Sequence, residues 1–156
     1  MTAAEAPAWG ATLLRLTLAV IYVMHGWYGL AVLGAQGAAG YIIRMGYPPA
    51  LAPALAWYLI VVHLVGGWAM LLGVGTRVAA LLQIPIMASA LFLHHLSQGF
   101  FMRALTVETA TGPRHIAGGY EYVLLVLAAT LALALTGPGR LSVDEWRGRG
   151  PRLEVP

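Results

Sequence analysis

Four apolar runs, at about residues 11–33, 51–72, 78–96 and 120–135, dominate this chain and leave it very few ways to fold. A helix needs ~20 apolar residues to cross ~30 Å of hydrocarbon. Each run comes close to that length, the last only if its ends extend. Charged residues make up 10% of the chain and its mean hydropathy is +0.76, whereas soluble domains carry roughly 25% charge. A chain this poor in ionic groups cannot cover its outside with them, so its outside is lipid. The sequence therefore predicts an all-α fold, an integral membrane four-helix bundle over residues 1–146, followed by a basic tail at 147–156.

The breaks between the runs carry the turn chemistry. Gly46-Tyr47-Pro48-Pro49 forbids helix just before the second run, within a loop expected over 34–50. Gly73-Val74-Gly75-Thr76-Arg77 is a tight turn that makes spans two and three a hairpin, and a longer loop is expected over 98–119. Pro85 removes one backbone bond inside the third span and predicts a kink. The first run is longer than a signal-peptide core and has no basic stretch before it, so it reads as a retained span.

Arginine sets the orientation, since the chain has no lysine. Arg15, Arg77, Arg140, Arg147, Arg149 and Arg152 fall on one side of the predicted bundle, and Arg44, Arg103 and Arg114 on the other. The positive-inside rule then puts both termini in the cytoplasm and the two long loops outside an inner, cytoplasmic membrane. These arginines form no basic face with aromatic interleaving, so nucleic acid is not an expected partner. The absence of cysteine removes disulfides, thiolate metal sites and iron–sulfur clusters. Arg147-Gly148-Arg149-Gly150-Pro151-Arg152 reads as an anchor near anionic lipid.

Ionisable side chains at membrane depth are costly and usually face a bundle interior or a cavity. Four are expected there: His25, His63, His94 and Glu121. His63 shares its helical face with Ala56, Gly66 and Gly67, small residues that admit a close neighbour. His25 precedes Gly26 and Gly29 in the same way. On the third span Gln83, Met87, Ala90, His94 and Ser97 form one stripe, which makes His94 the inward residue and turns its neighbour His95 away. At ~1.5 Å per residue, Glu121 and His94 lie about 5 Å below the outer boundary, His25 about 12 Å and His63 about 15–18 Å. Metal ligands must converge to ~2.0–2.2 Å, so a single metal site is not expected, and the four residues divide into two levels. The outer pair, His94 with Glu121, is either a hydrogen-bonded lock between helices or a proton relay. The inner pair, His25 with His63, is open to three readings. These are interhelical hydrogen bonding, a quinone headgroup between two imidazoles with Tyr28 and Tyr58 near the same level, and a b-type haem with two histidine ligands.

In this order the motifs resemble the DoxX family along nearly the whole chain. They are His25-Gly26, Gly46-Tyr47-Pro48, Gly66-Gly67 followed by Leu72-Gly73-Val74-Gly75-Thr76-Arg77, and Phe92-Leu93-His94. Gly118-Gly119-Tyr120-Glu121-Tyr122 follows, and Gly137-Pro138-Gly139-Arg140-Leu141-Ser142-Val143-Asp144 closes the series. The resemblance implies a four-helix membrane protein related to membrane subunits of thiosulfate:quinone oxidoreductase, with other members linked to oxidative-stress complexes. Where many relatives carry a lysine and a glutamate, this chain has Gly29 and His63.

Functions of different classes are consistent with these features. One is the membrane subunit of a quinone-linked oxidoreductase that acts on a small anion, a sulfur oxyanion among them, at the outer face. His25, His63, His94 and Glu121 would do its chemistry, and Arg44, Arg103 and Arg114 would attract the anion. The outer loop, with Glu108, Arg114 and His115, offers further contacts. Another is a non-catalytic anchor for a respiratory or stress complex. A small-molecule or metal carrier built on the inner histidines is a third. Soluble or membrane partner subunits and self-association are compatible with each.

Overall fold

A computed structural model describes residues 5–109 and 112–148. The first helix, α1 (Ala6–Trp27), starts with proline in its first turn, where a missing N–H costs nothing. It passes through a π-helical turn, Tyr28–Leu33, into α2 (Gly34–Arg44). The second span joins α3 (Ala52–Val61) through a π-helical turn, Val62–Gly66, to α4 (Gly67–Leu72). The third is α5 (Thr76–Ser89), again followed by a π-helical turn, Ala90–His95, and a short 3₁₀ turn, Leu96–Gln98. Strands β1 (Arg103–Thr109) and β2 (Gly112–Gly118) pair antiparallel, Arg103 opposite Gly118 and Thr109 opposite Gly112. The apolar helix α6 (Glu121–Thr136) and the short α7 (Val143–Gly148) follow. Residues 6–44, 52–72 and 76–98 make three helices long and apolar enough to cross a membrane, and α6, with 16 residues, is shorter.

The chain departs from its sequence-based expectation in two segments. The loop expected over 34–50 is helical as far as Arg44. Gly34, at φ 67°, bends the chain, and Ala38, Ile42 and Met45, at helical spacing, then bury themselves against Ala52, Ala56 and Ile60 of α3. The loop expected over 98–119 holds the β1–β2 hairpin, so the all-α expectation gives way to a helical fold with a small two-stranded sheet. Of the basic tail, residues 149–156 lie outside the described residues.

Small residues bring the first two spans together. A Cβ on Gly67 would stand 2.8 Å from Val23 Cγ2 and 2.9 Å from Val23 N. One on Gly26 would stand 2.7 Å from Leu64 N and 3.0 Å from His63 Cβ. Backbones approach this closely only where no side chain intervenes, and the crossing at Gly26 is what carries His63 up to the first span. Leu18, Ala19, Tyr22 and Met70 then pack with Ala80, Met87 and Leu133 into the main core.

At the end of the bundle where α1 begins and α6 ends, a guanidinium replaces apolar packing. Arg15 is 0% exposed, and its five N–H donors are satisfied by five backbone carbonyls. Nε donates to Pro138 O at 2.8 Å, Nη1 to Met70 O at 2.7 Å and Leu71 O at 2.9 Å, and Nη2 to Arg140 O at 3.2 Å and Leu141 O at 2.9 Å. Around it, Thr12 Oγ1 accepts from Arg140 N at 2.7 Å, and Arg140 pairs with Glu5 at 3.1 Å. The Asp144 carboxylate accepts from Gly75 N at 2.9 Å and Thr76 N at 3.0 Å, closing the start of α5. Burial pushes the Asp144 carboxyl up, but those backbone bonds outweigh it and hold the group below its ordinary range. The Gly-Pro-Gly-Arg…Asp motif is thus a clasp that joins the ends of three helices.

Candidate functional site

Towards the hairpin end, the helices part around a cavity of about 420 Å³. The π-helical turns of all three long helices adjoin it, at Tyr28–Leu33, Val62–Gly66 and Ala90–His95. A π-turn widens the helix by one residue and is common at functional sites. Here it also shifts side chains around each axis, and so decides which of them reach the cavity.

His25 and His63 both line this space, with ring centroids 6.4 Å apart and planes inclined at 59°. His63 is 5% exposed, meets the ring of Tyr22 edge-on at 5.2 Å, and its buried Nδ1 has no hydrogen-bond partner. His25 is exposed, and its Nδ1 lies 2.8 Å from Ile21 O. A carbonyl only accepts, so Nδ1 carries the proton and Nε2 of the neutral ring is left as an acceptor. Tyr28 lines the same cavity. Tyr58 does not. It stands in an adjoining chamber and donates to Leu82 O at 2.8 Å.

The expected outer pair is not assembled. His94 makes no hydrogen bond or ion pair with Glu121; its ring packs on Tyr41 at 5.0 Å and on His95 at 4.7 Å. The Glu121 carboxylate instead accepts from Met102 N at 2.7 Å and ties the base of the hairpin to α6. His95, expected to face away, lines the cavity, with its Nδ1 3.1 Å from Gln98 Oε1. The π-turn explains the exchange. Its wider turn carries the inward stripe on in four-residue steps, from the buried Met87 to the buried Leu91 and then to His95, whereas 3.6-residue spacing would select His94.

Four contributors were missed or misplaced by the sequence reading. Tyr22 is 1% exposed and its hydroxyl bonds Thr130 Oγ1 at 2.5 Å; its place three residues before His25, on the same face, was the available signal. Gln83 donates to Val62 O at 2.9 Å, at the start of the π-turn that carries His63, while its Oε1 has no partner. Arg44, expected in a loop, lines the cavity from α2 with its guanidinium over the Tyr41 ring at 5.9 Å, and makes no ion pair among the described residues. His95 is the fourth. Of the loop residues singled out, Glu108 lies on β1, and the side chains of Arg114 and His115 fall outside the described residues.

The cavity can therefore accept a hydrogen bond at His25, engage His63, and offer hydroxyls and a guanidinium around them, within apolar walls. Its volume falls within the roughly 300–1,000 Å³ typical of small-molecule sites, so a compact ring with polar edges fits it. Among the described residues no three His, Asp or Glu side chains are grouped closely enough to hold a metal ion.

The model of the DoxX family matches residues 10–96, a stretch that contains His25, His63 and His95. Inner membrane protein YqjF of Escherichia coli (strain K12) is 29% identical over 141 residues, covering 86% of this chain and 89% of the relative. No solved structure matches the chain.

Proposed function

The chain belongs to the DoxX family, and from that premise we propose that it is the quinone-binding membrane subunit of an oxidoreductase that draws electrons from a small anion. The observation that carries this reading is the His25–His63 pair at 6.4 Å on a single cavity, one ring with a free acceptor nitrogen and the other buried with an unpartnered one. A bound quinone supplies a two-electron carrier. The protein's own residues orient it and handle protons. As the ring is reduced, His25 would pass a proton through Nε2 to a ring oxygen and then accept the hydrogen bond of the resulting hydroxyl; His63 holds the opposite side, and Tyr22, anchored on Thr130, fixes the His63 ring. Arg44, over the Tyr41 ring at the same cavity, supports attraction of the anion.

In this reading α6 is the fourth span, both termini are cytoplasmic, and the membrane is the inner one, as the name of the Escherichia coli relative says of that protein. Reporters fused after Gly75 and after Arg140 should behave as cytoplasmic and one at Gly112 as exported, because of the arginine asymmetry. An exported reporter after Arg140 would reverse the orientation.

The ligand itself is tested by the absorption spectrum, the organic extract and quinone titrations of the purified protein. His25→Ala and His63→Ala should each weaken binding of the reduced, quinol form roughly ten- to hundredfold, since each leaves a ligand hydroxyl unpaired at ~1–3 kcal/mol. The double variant should lose less than the sum, because the two rings share one ligand. Wild-type affinity in both folded single variants would make the pair structural, and a Soret band would assign it to haem. A blank extract with no quinone affinity favours a non-catalytic anchor, a role the hairpin suits because a lone strand pair leaves two edges open to a partner.

A further inference from the structure

A second, smaller chamber of about 110 Å³ adjoins the histidine cavity, and the two share Tyr41, Leu59, Ile86 and Ala90 as a common wall. It lies between the second and third spans, where Pro85 interrupts the bonding of α5. The hydroxyls of Tyr47, Ser89 and Tyr58 are already paired: Tyr47 Oη bonds Ser89 Oγ at 2.8 Å, and Tyr58 Oη donates to Leu82 O at 2.8 Å. What remains is apolar surface from residues such as Ile42, Met45 and Leu55. A chamber walled mainly by apolar side chains has little to hold water and takes hydrocarbon. Pro85, at its edge, is exposed at the depth of the span, so the chamber opens towards lipid.

We infer that this chamber is the tail subsite of the bound ligand, a passage that leads a flexible hydrocarbon chain from the histidine cavity past Ala90 and Ile86 to the bilayer at Pro85. The ligand class is thereby narrowed to a compact polar ring carrying an apolar, prenyl-like side chain. The first one or two branched units of the chain occupy the chamber and the rest runs into lipid. This rests on the quinone reading, and adds to it a selectivity that the two histidines alone do not provide. Leu55 lines only the smaller chamber, whereas Ala90 stands in the shared wall.

The test uses the full chain in detergent and two probes with the same ring, a dimethoxy-methyl-benzoquinone without a tail and the same ring bearing two isoprene units. The wild type should bind the tailed probe about tenfold more tightly or better, ~1.4 kcal/mol per decade. Leu55→Trp, which fills the chamber, should erase that preference and leave affinity for the bare ring within about twofold. Leu55→Ala should keep the preference. Ala90→Leu, which narrows the passage from the third span, should also reduce it and stands in if the tryptophan variant does not fold. A preference that survives in a folded Leu55→Trp or Ala90→Leu protein overturns the tail subsite while leaving the quinone site intact. Failure of the wild type to bind either probe overturns the quinone reading and this inference with it.

Discussion

Arg15→Ala should be the most damaging single substitution in the spans, lowering stability by ~4–5 kcal/mol and leaving little monodisperse protein after purification. The side chain satisfies five carbonyls from two separate segments, Met70 and Leu71 in one and Pro138, Arg140 and Leu141 in the other. Hydrogen bonds to a charged donor contribute ~1.5–3 kcal/mol each, but they are not additive, because carbonyls near a bundle end recover some water when released. Their loss still exceeds the ~0.5–3 kcal/mol of ordinary substitutions. Arg15→Lys keeps the charge but has three donors where the guanidinium has five, so it should lose about half as much. The measurement is thermal unfolding in detergent followed by tryptophan fluorescence, with gel filtration alongside. An alanine variant that melts within about 2 °C of the wild type would show that the five bonds contribute nothing net.

Gly73→Ala should rank close behind, at ~3 kcal/mol or more. Residue 73 has φ 69°, a left-handed conformation that costs an alanine ~1–2 kcal/mol. Its Cβ would also stand 2.7 Å from Ser142 Cα and 2.9 Å from Arg15 Nη1, pushing the guanidinium off its carbonyls. Two other glycines separate these causes. Gly75, at φ 58° with nothing within 4 Å of its Cβ position, should cost only the conformational part when changed to alanine. Gly10, inside α1 and equally open, should be neutral or gain ~0.5–1 kcal/mol as alanine. Equal melting temperatures for Gly73→Ala and Gly75→Ala would remove the steric part of the argument.

The long helices were legible because lipid leaves a chain no alternative to helix, and apolar runs report that directly. The surroundings of the cavity were less so. Gly34, Gly37 and Gly40 looked like loop residues, yet only Gly34 has a positive φ, while Ala38 and Ile42 keep helical spacing and bury α2. The inward positions of His25 and His63 followed from their small neighbours, since Gly26 and Gly67 set the crossing of the spans. The choice of His94 over His95 failed because a π-turn rotates everything after it, and nothing in Ala90–His95 announces one. Glu121 was assigned to the wrong partner because its acceptor role depends on Met102, in a segment whose hairpin was not foreseen. Arg44 was credited with the right charge but the wrong element.

The clasp around Arg15 also sets the order in which the protein can be completed. Met70 and Leu71 lie 55 and 56 residues downstream of Arg15, but Pro138 and Leu141 lie 123 and 126 residues downstream. At ~5–20 residues per second of synthesis, Arg15 waits roughly 6–25 s for its last ligands. Until Leu71 is made it has at most one of its five carbonyls, and from then until Pro138 it has at most two, so it must find water or lipid phosphate for the rest. The helices can gather in the bilayer as they emerge, yet their shared end stays ajar until the final segment leaves the ribosome. A chain truncated before residue 138 would therefore leave three of the five guanidinium donors without their carbonyls.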